Sequence, residues 1–171
     1  MKTTFASELR QGFDQVAGSL SEEALALVAR ARDTVGTELA ERDRLLAEIV
    51  SAYRAGPRQL WAPVILDLLA PGLLKVLKQI DYEIQQIADM WADDDPPIVE
   101  DEEEIRQQLV MEVLSAAATI PIHPGGRAMK RRLLMRAYKY VVRWLEREAR
   151  HHEWHSSLEA LEERNEGNEE E

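Results

Sequence analysis

Few side chains in this chain have the type and spacing that chemistry requires. His151, His152 and His155 stand in the run His-His-Glu-Trp-His, and on a helix His151 and His155 fall one turn apart, a spacing that two zinc-binding imidazoles can use. The zinc-protease order His-Glu-x-x-His is not met, because Ser156 stands where the second histidine belongs, so the run reads as a fraying helix end. Asp93, Asp94 and Asp95 offer oxygen ligands for a hard cation but lack the spacing of an EF-hand loop, and read as a solvated acidic loop. The absence of cysteine excludes disulfides, thiolate metal sites and a cysteine nucleophile. No Gly-rich phosphate loop follows a strand, no Ser-His-Asp set can be placed, and no carboxylate pair has a reason for split pKa values. The residues therefore point away from an enzyme, and no metal or cofactor is expected.

Binding chemistry is better represented. The net charge of −11 is layered along 171 residues. Residues 1–80 balance, residues 81–104 hold eleven carboxylates and no Lys or Arg, residues 126–152 hold nine basic groups against two acidic ones, and residues 153–171 return to −7. An acidic chain ordinarily argues against nucleic acid, where affinity comes from neutralising phosphates. Docking of a polyanion depends instead on the local potential of one face, because charges beyond a Debye length of roughly 8 Å are largely screened.

The basic block has helical order. At 100° per residue, Arg132, Arg136, Lys139, Arg143, Arg147 and Arg150 fall within roughly 80° of one another, with Leu133, Leu134, Ala137, Val141, Trp144 and Leu145 opposite. The strip spans about 27 Å, comparable to about eight base-pair steps. Its residues leave three occupants open: solvent or the chain's own acidic blocks, a nucleic-acid backbone, or an acidic protein or membrane surface. One flanking acidic segment, residues 93–104 or the tail, is expected to cover the strip as a DNA mimic would. Tyr138 and Tyr140 could stack on bases or pack at the rim of the core.

The elements that must position these groups read as helices throughout. With 45% hydrophobic and 31% charged residues, the composition is that of a globular chain with one main core. Phe5, Leu9, Phe13, Val16 and Leu20 form one helical face, ended at Gly18. Ser19 and Glu22 have capping-box spacing, and Val28, Ala31, Val35, Leu39, Leu46, Ile49 and Tyr53 form a second, longer stripe that Gly36 could break. Ala55-Gly56-Pro57 stops one helix and starts the next. Residues 59–70 and 73–91 read as two apolar helices separated at Ala70-Pro71-Gly72. Asp93 to Pro97 is a loop, residues 102–118 are a helix with Ile105, Leu109, Val113 and Ala116 inward, Ile120 to Gly126 is a loop, and a last helix runs from Arg127 to about Arg150.

The fold class expected is all-α, a bundle of about five to six helices with a disordered acidic C-terminal tail. Residues 1–54 read as a helical arm, residues 55–152 as the core with an acidic loop at 92–101, and residues 153–171 as the tail. Long helices between Phe5 and Tyr53 could pair chains into a homo-oligomer. The most apolar stretch, Trp61 to Leu74, is interrupted by Pro63, Asp67 and Pro71 and is shorter than the ~20 residues that cross a bilayer. It reads as core. With one lysine and no apolar run near Met1, a signal peptide is not expected, and the reading is a cytoplasmic protein without a membrane partner.

Arg127-Ala128-Met129-Lys130-Arg131-Arg132-Leu133-Leu134-Met135-Arg136-Ala137, followed by Val141-Val142-Arg143-Trp144-Leu145-Glu146-Arg147, resembles the promoter-reading helix of region two in bacterial RNA polymerase sigma factors, especially the short alternative ones. Upstream, Glu104-Ile105-Arg106-Gln107-Gln108-Leu109-Val110-Met111 is similar to that family's polymerase-docking helix, and Tyr53-Arg54-Ala55-Gly56 to its opening Tyr-x-x-Gly. Together these span about residues 46–150. The resemblance implies an accessory transcription regulator. Glu104, Gln107 and Gln108 would meet the RNA polymerase core, and Arg132, Arg136, Lys139, Arg143 and Arg147 would face promoter DNA. The stretch from Lys130 to Leu134, where the family carries an aromatic for strand separation, is basic here, and no second helix-turn-helix domain is expected. The alternative left open is a helical adaptor that engages protein partners without nucleic acid.

Overall fold

A computed structural model describes residues 4–33, 38–90 and 102–166. Among them are six α-helices, one short 3-10 turn and no strand. The helices are α1 (Phe5–Ala17), α2 (Glu22–Arg32), α3 (Leu39–Ala55), α4 (Arg58–Met90), α5 (Glu102–Thr119) and α6 (Met129–Glu166), with the turn Pro124–Gly126 between the last two. The acidic loop at 92–101 lies outside the described residues.

Local chemistry accounts for most helix ends. The Thr4 hydroxyl accepts from the Ser7 amide to open α1, and Gly18 closes it. The Ser21 hydroxyl accepts from Ala24 N–H at 3.2 Å and opens α2. The N-cap is therefore Ser21 rather than Ser19. Ala24 occupies the third helical position, so the reciprocal glutamate of a capping box is missing. The long stripe from Val28 to Tyr53 belongs to two helices, since α2 ends at Arg32 with Asp33 in extended conformation. Val28, Leu46, Ile49 and Tyr53 face inward, but Leu39, placed inward by the stripe, is 71% exposed at the first position of α3.

The two helices predicted on either side of Pro71 are one. α4 runs through both Pro63 and Pro71, although a proline inside a helix removes one hydrogen bond and costs about 3 kcal/mol. Ile65, Leu69, Leu73 and Ile80 keep one helical phase across Pro71 and are fully buried. Each such side chain contributes roughly 1.5–3 kcal/mol on burial, so the summed packing outweighs the proline. By length and composition the segment Arg58–Gln86 would suffice to cross a membrane, but here it forms the centre of the bundle and touches each of the other five helices.

All six helices contribute to one hydrophobic cluster, from Phe5, Leu9 and Phe13 to Val141 and Leu145. The described helices within residues 1–54 pack into the same cluster as the rest. The face of α1 closes over α4, and Leu46, Ile49, Val50 and Tyr53 of α3 sit in the same core. Of the two stripes, Phe5, Leu9, Phe13, Val28, Leu46, Ile49 and Tyr53 are buried in this core. A triad binds the N-terminal helices to α4. Asp67 accepts from Arg32 Nε at 3.0 Å and Arg10 Nη1 at 3.2 Å, and the Arg32 guanidinium lies 3.8 Å from the centre of the Phe13 ring.

The α5–α6 hairpin is held by α3 at both of its inner ends. Arg54 donates from Nε to Ala117 O at 2.7 Å and from Nη2 to Ile120 O at 2.5 Å, placing a cation on the carbonyl end of α5. Asp43 Oδ1 accepts from the Lys130 backbone N–H at 3.1 Å, placing a carboxylate on the amide end of α6. Gly126 makes the second contact possible. It has φ of +69°, and a Cβ there would stand 2.5 Å from Asp43 O and 2.8 Å from Arg44 Cα. α6 begins at Met129, and its backbone remains helical to Glu166, beyond the predicted end near Arg150.

Gly126→Ala should therefore lower unfolding stability by about 2–4 kcal/mol, combining a left-handed backbone with overpacking against α3. Ala128 also has positive φ, at 55°, and Ala128→Gly should be neutral or slightly stabilising. Urea unfolding followed by circular dichroism of both variants checks the contrast.

Candidate nucleic-acid interface

The cationic strip predicted on the last helix lies on the solvent side of α6. Leu133, Ala137, Val141 and Leu145 are buried along the opposite side, with Leu134 and Trp144 packed at the core's edge. This burial fixes the rotation of the helix. Lys139, Arg143, Arg147 and Arg150 are exposed, and Arg132 and Arg136 are half-buried. Among the described residues, none of Arg132, Arg136, Lys139, Arg143 and Arg147 forms an ion pair. Arg132 Nη1 is buried without a hydrogen-bond partner, and Arg150 Nε is turned back to Glu146 O at 3.1 Å.

The two tyrosines separate. The Tyr138 hydroxyl donates to Glu83 Oε1 at 2.7 Å and fastens α6 to α4. Burial, reinforced by that bond to Glu83, raises the hydroxyl's pKa above the ordinary tyrosine value. Tyr138 is thus rim packing. Tyr140 is 40% exposed, with Arg136 at 5.5 Å and Arg143 at 5.9 Å from the ring centre. An aromatic ring between two guanidinium groups gives the middle of the strip both cation–π order and a flat apolar surface.

The three residues assigned to polymerase docking lie on α5, away from its buried line of Ile105, Leu109, Val113 and Ala116. Glu104 and Gln107 are exposed and Gln108 is half-buried. Gln107 donates to Glu103 at 3.2 Å and Gln108 to Glu112 at 3.0 Å, so both amides are ordered along the helix. Met111, one turn further on, is 63% exposed in the same stripe. The resemblance gives Met111 no role of its own. Its offsets of three and four residues from Gln108 and Gln107 were the signal available.

The side chains of His151, His152 and His155, residues 93–101 and the side chains of the acidic tail lie outside the described residues, while Glu102 and Glu103, at the end of the expected acidic cover, pair with Arg106 on their own helix. Among those described, no group of three His, Asp or Glu is placed to hold a metal ion. No protein-family model, curated protein or solved structure matches this chain.

The Tyr138 hydroxyl has a definite alkaline signature. A raised folded pKa means that its stabilisation is complete below the ordinary tyrosine value of 10.0 and is lost as pH rises through the higher folded value. Tyr138→Phe should cost about 1 kcal/mol at neutral pH, and the deficit should shrink above about pH 10. Urea unfolding of both proteins across that range measures it.

Proposed function

We propose that this chain is a non-enzymatic accessory transcription regulator whose α6 strip binds the phosphate backbone of DNA. The observation that supports this best is the set of five cations, Arg132, Arg136, Lys139, Arg143 and Arg147, aligned on one helix face without carboxylate partners among the described residues. Such a face attracts phosphates with little sequence choice, because backbone contacts position a protein without reading bases. The likeness of α5 and α6 to sigma region two extends the reading to the RNA polymerase core. Glu104, Gln107 and Gln108, with Met111 beside them, then form the docking stripe.

A second reading has its own support. Met111 is an apolar side chain 63% exposed on an otherwise polar stripe, which suits a protein partner of any kind. Under that reading α5 is the working surface of a helical adaptor and the α6 strip has no nucleic-acid role.

Two measurements separate these. In the first, DNA affinity followed against salt should fall with a slope of about −0.9 per phosphate neutralised, so about −4 to −5 for five contacts. Arg136→Glu with Arg143→Glu should flatten it by about 2 and weaken binding at low salt. Salt-independent or absent DNA binding by the folded protein would overturn the DNA reading. In the second, pull-down of core RNA polymerase should succeed with the wild type and fail with Glu104, Gln107 and Gln108 all changed to alanine. A stable complex with some other protein, lost in the same variant, would favour the adaptor.

A further inference from the structure

A second group of cations lies beside the strip, across the seam where α6 meets α4. The two helices are fixed against each other at two levels. A Cβ at Gly72 would stand 2.4 Å from Leu134 Cδ1 and 3.4 Å from Lys130 Cε, and further along α4 the Glu83 carboxylate accepts from the Tyr138 hydroxyl. Gly72 and Glu83 therefore mark the side of α4 that meets α6, and Leu134 and Tyr138 mark the side of α6 that meets α4. At 100° per residue, Lys75 and Tyr82 of α4 and Arg131, Met135 and Lys139 of α6 turn outward on the two flanks that border this seam. All five are exposed. Across the surface the order is the cations of the strip, then Met135, then Arg131 with Lys75, then Lys78.

These added cations have no carboxylate of their own. Lys75, Lys78 and Arg131 form no ion pair among the described residues. Glu83, the carboxylate inside the seam, is taken by Tyr138. Asp81 and Glu146, exposed further along the two helices, pair with none of them. Between the two groups of charge stands Met135, an apolar side chain 44% exposed.

Packed helices have axes about 8–10 Å apart, so cations on their outer flanks are separated by on the order of 10–15 Å once side-chain reach is added. The major groove of B-DNA is about 12 Å wide, with phosphates on both rims and base edges, including the thymine methyl, between them. Positive, apolar, positive is the complement of that cross-section. A single strand has one line of phosphates and needs one row of cations. Resting on the phosphate-binding reading of the strip, we infer that the DNA this chain takes is duplex, held across the α4–α6 seam. Lys75, Lys78 and Arg131 meet the phosphates of one chain, the strip meets those of the other, and Met135 faces the base edges between.

The test is fluorescence anisotropy of the full chain at low salt with a mixed-sequence duplex and, separately, with each of its strands. The duplex should bind at least ten times tighter than either strand, and three further phosphates should steepen its salt slope by about 2–3 beyond the strip's own contacts. Lys75→Gln with Lys78→Gln should weaken duplex binding at least fivefold, flatten that slope by about 2 and leave strand binding within about twofold. Equal affinity for duplex and strands, or an α4 variant that binds duplex as the wild type does, would overturn the inference while the strip reading stands on its own charge-reversed variant. No binding of either DNA would overturn both. In the wild type, duplex but not single strand should slow acetylation of Lys75 and Lys78, read by mass spectrometry, and equal labelling would sink the proposal even if the α4 variant failed to fold.

Discussion

A pair of opposite charges on α3, eleven residues apart in sequence, sets the position of everything described after α4. Asp43 meets the amide end of α6 and Arg54 meets the carbonyl end of α5. Each charge has the sign that the helix dipole at that end favours, so exchanging the two ends of the hairpin would put like against like. Four unsatisfied amides begin every helix and four unsatisfied carbonyls end it. In this chain some of those groups find partners on a neighbouring helix instead of in the adjoining loop. The polar groups of α3 thereby decide the direction of the hairpin, while its apolar residues provide affinity without direction.

The same division appears on the other side of the bundle. Phe5, Leu9 and Phe13 bring α1 onto α4, and the Arg10–Asp67–Arg32 triad fixes how it lies. Asp67 is only 9% exposed at its side chain. Two arginines around one nearly buried carboxylate satisfy it and leave the triad with one positive charge over. Losing the carboxylate would leave two guanidinium groups in a half-dry site without their shared acceptor, which is more costly than losing either arginine.

Helix existence and facing were legible in the sequence, because burial imposes a 3.6-residue period that any core-facing helix must show. The inward lines of α1, α5 and α6 follow that period, and the rotation of the cationic strip follows from it directly. What the sequence did not show was pairing over distance. Nothing local distinguishes Asp43 from the exposed acids near it, since its partner is 87 positions away. Tyr138 and Tyr140 are two residues apart and chemically identical, and only the place of Glu83 on α4 sorts one into packing and the other toward solvent. Pro71 misled for the opposite reason. The missing backbone hydrogen bond at proline is outweighed there by buried leucines and isoleucines on both sides. Leu39 shows the limit of periodicity itself, for a residue at the first position of a helix follows the stripe in phase and still escapes the core.

The long reach of the Asp43 and Arg54 contacts also orders events in time. Bridging 87 and 63 residues has an entropic cost that grows slowly with length, but it cannot be met until both partners exist. Synthesis proceeds from the N-terminus, so the carboxylate and guanidinium of α3 leave the ribosome well before the basic helix does. The two residues that fix the ends of the hairpin are thus already synthesised when the arginine-rich segment emerges.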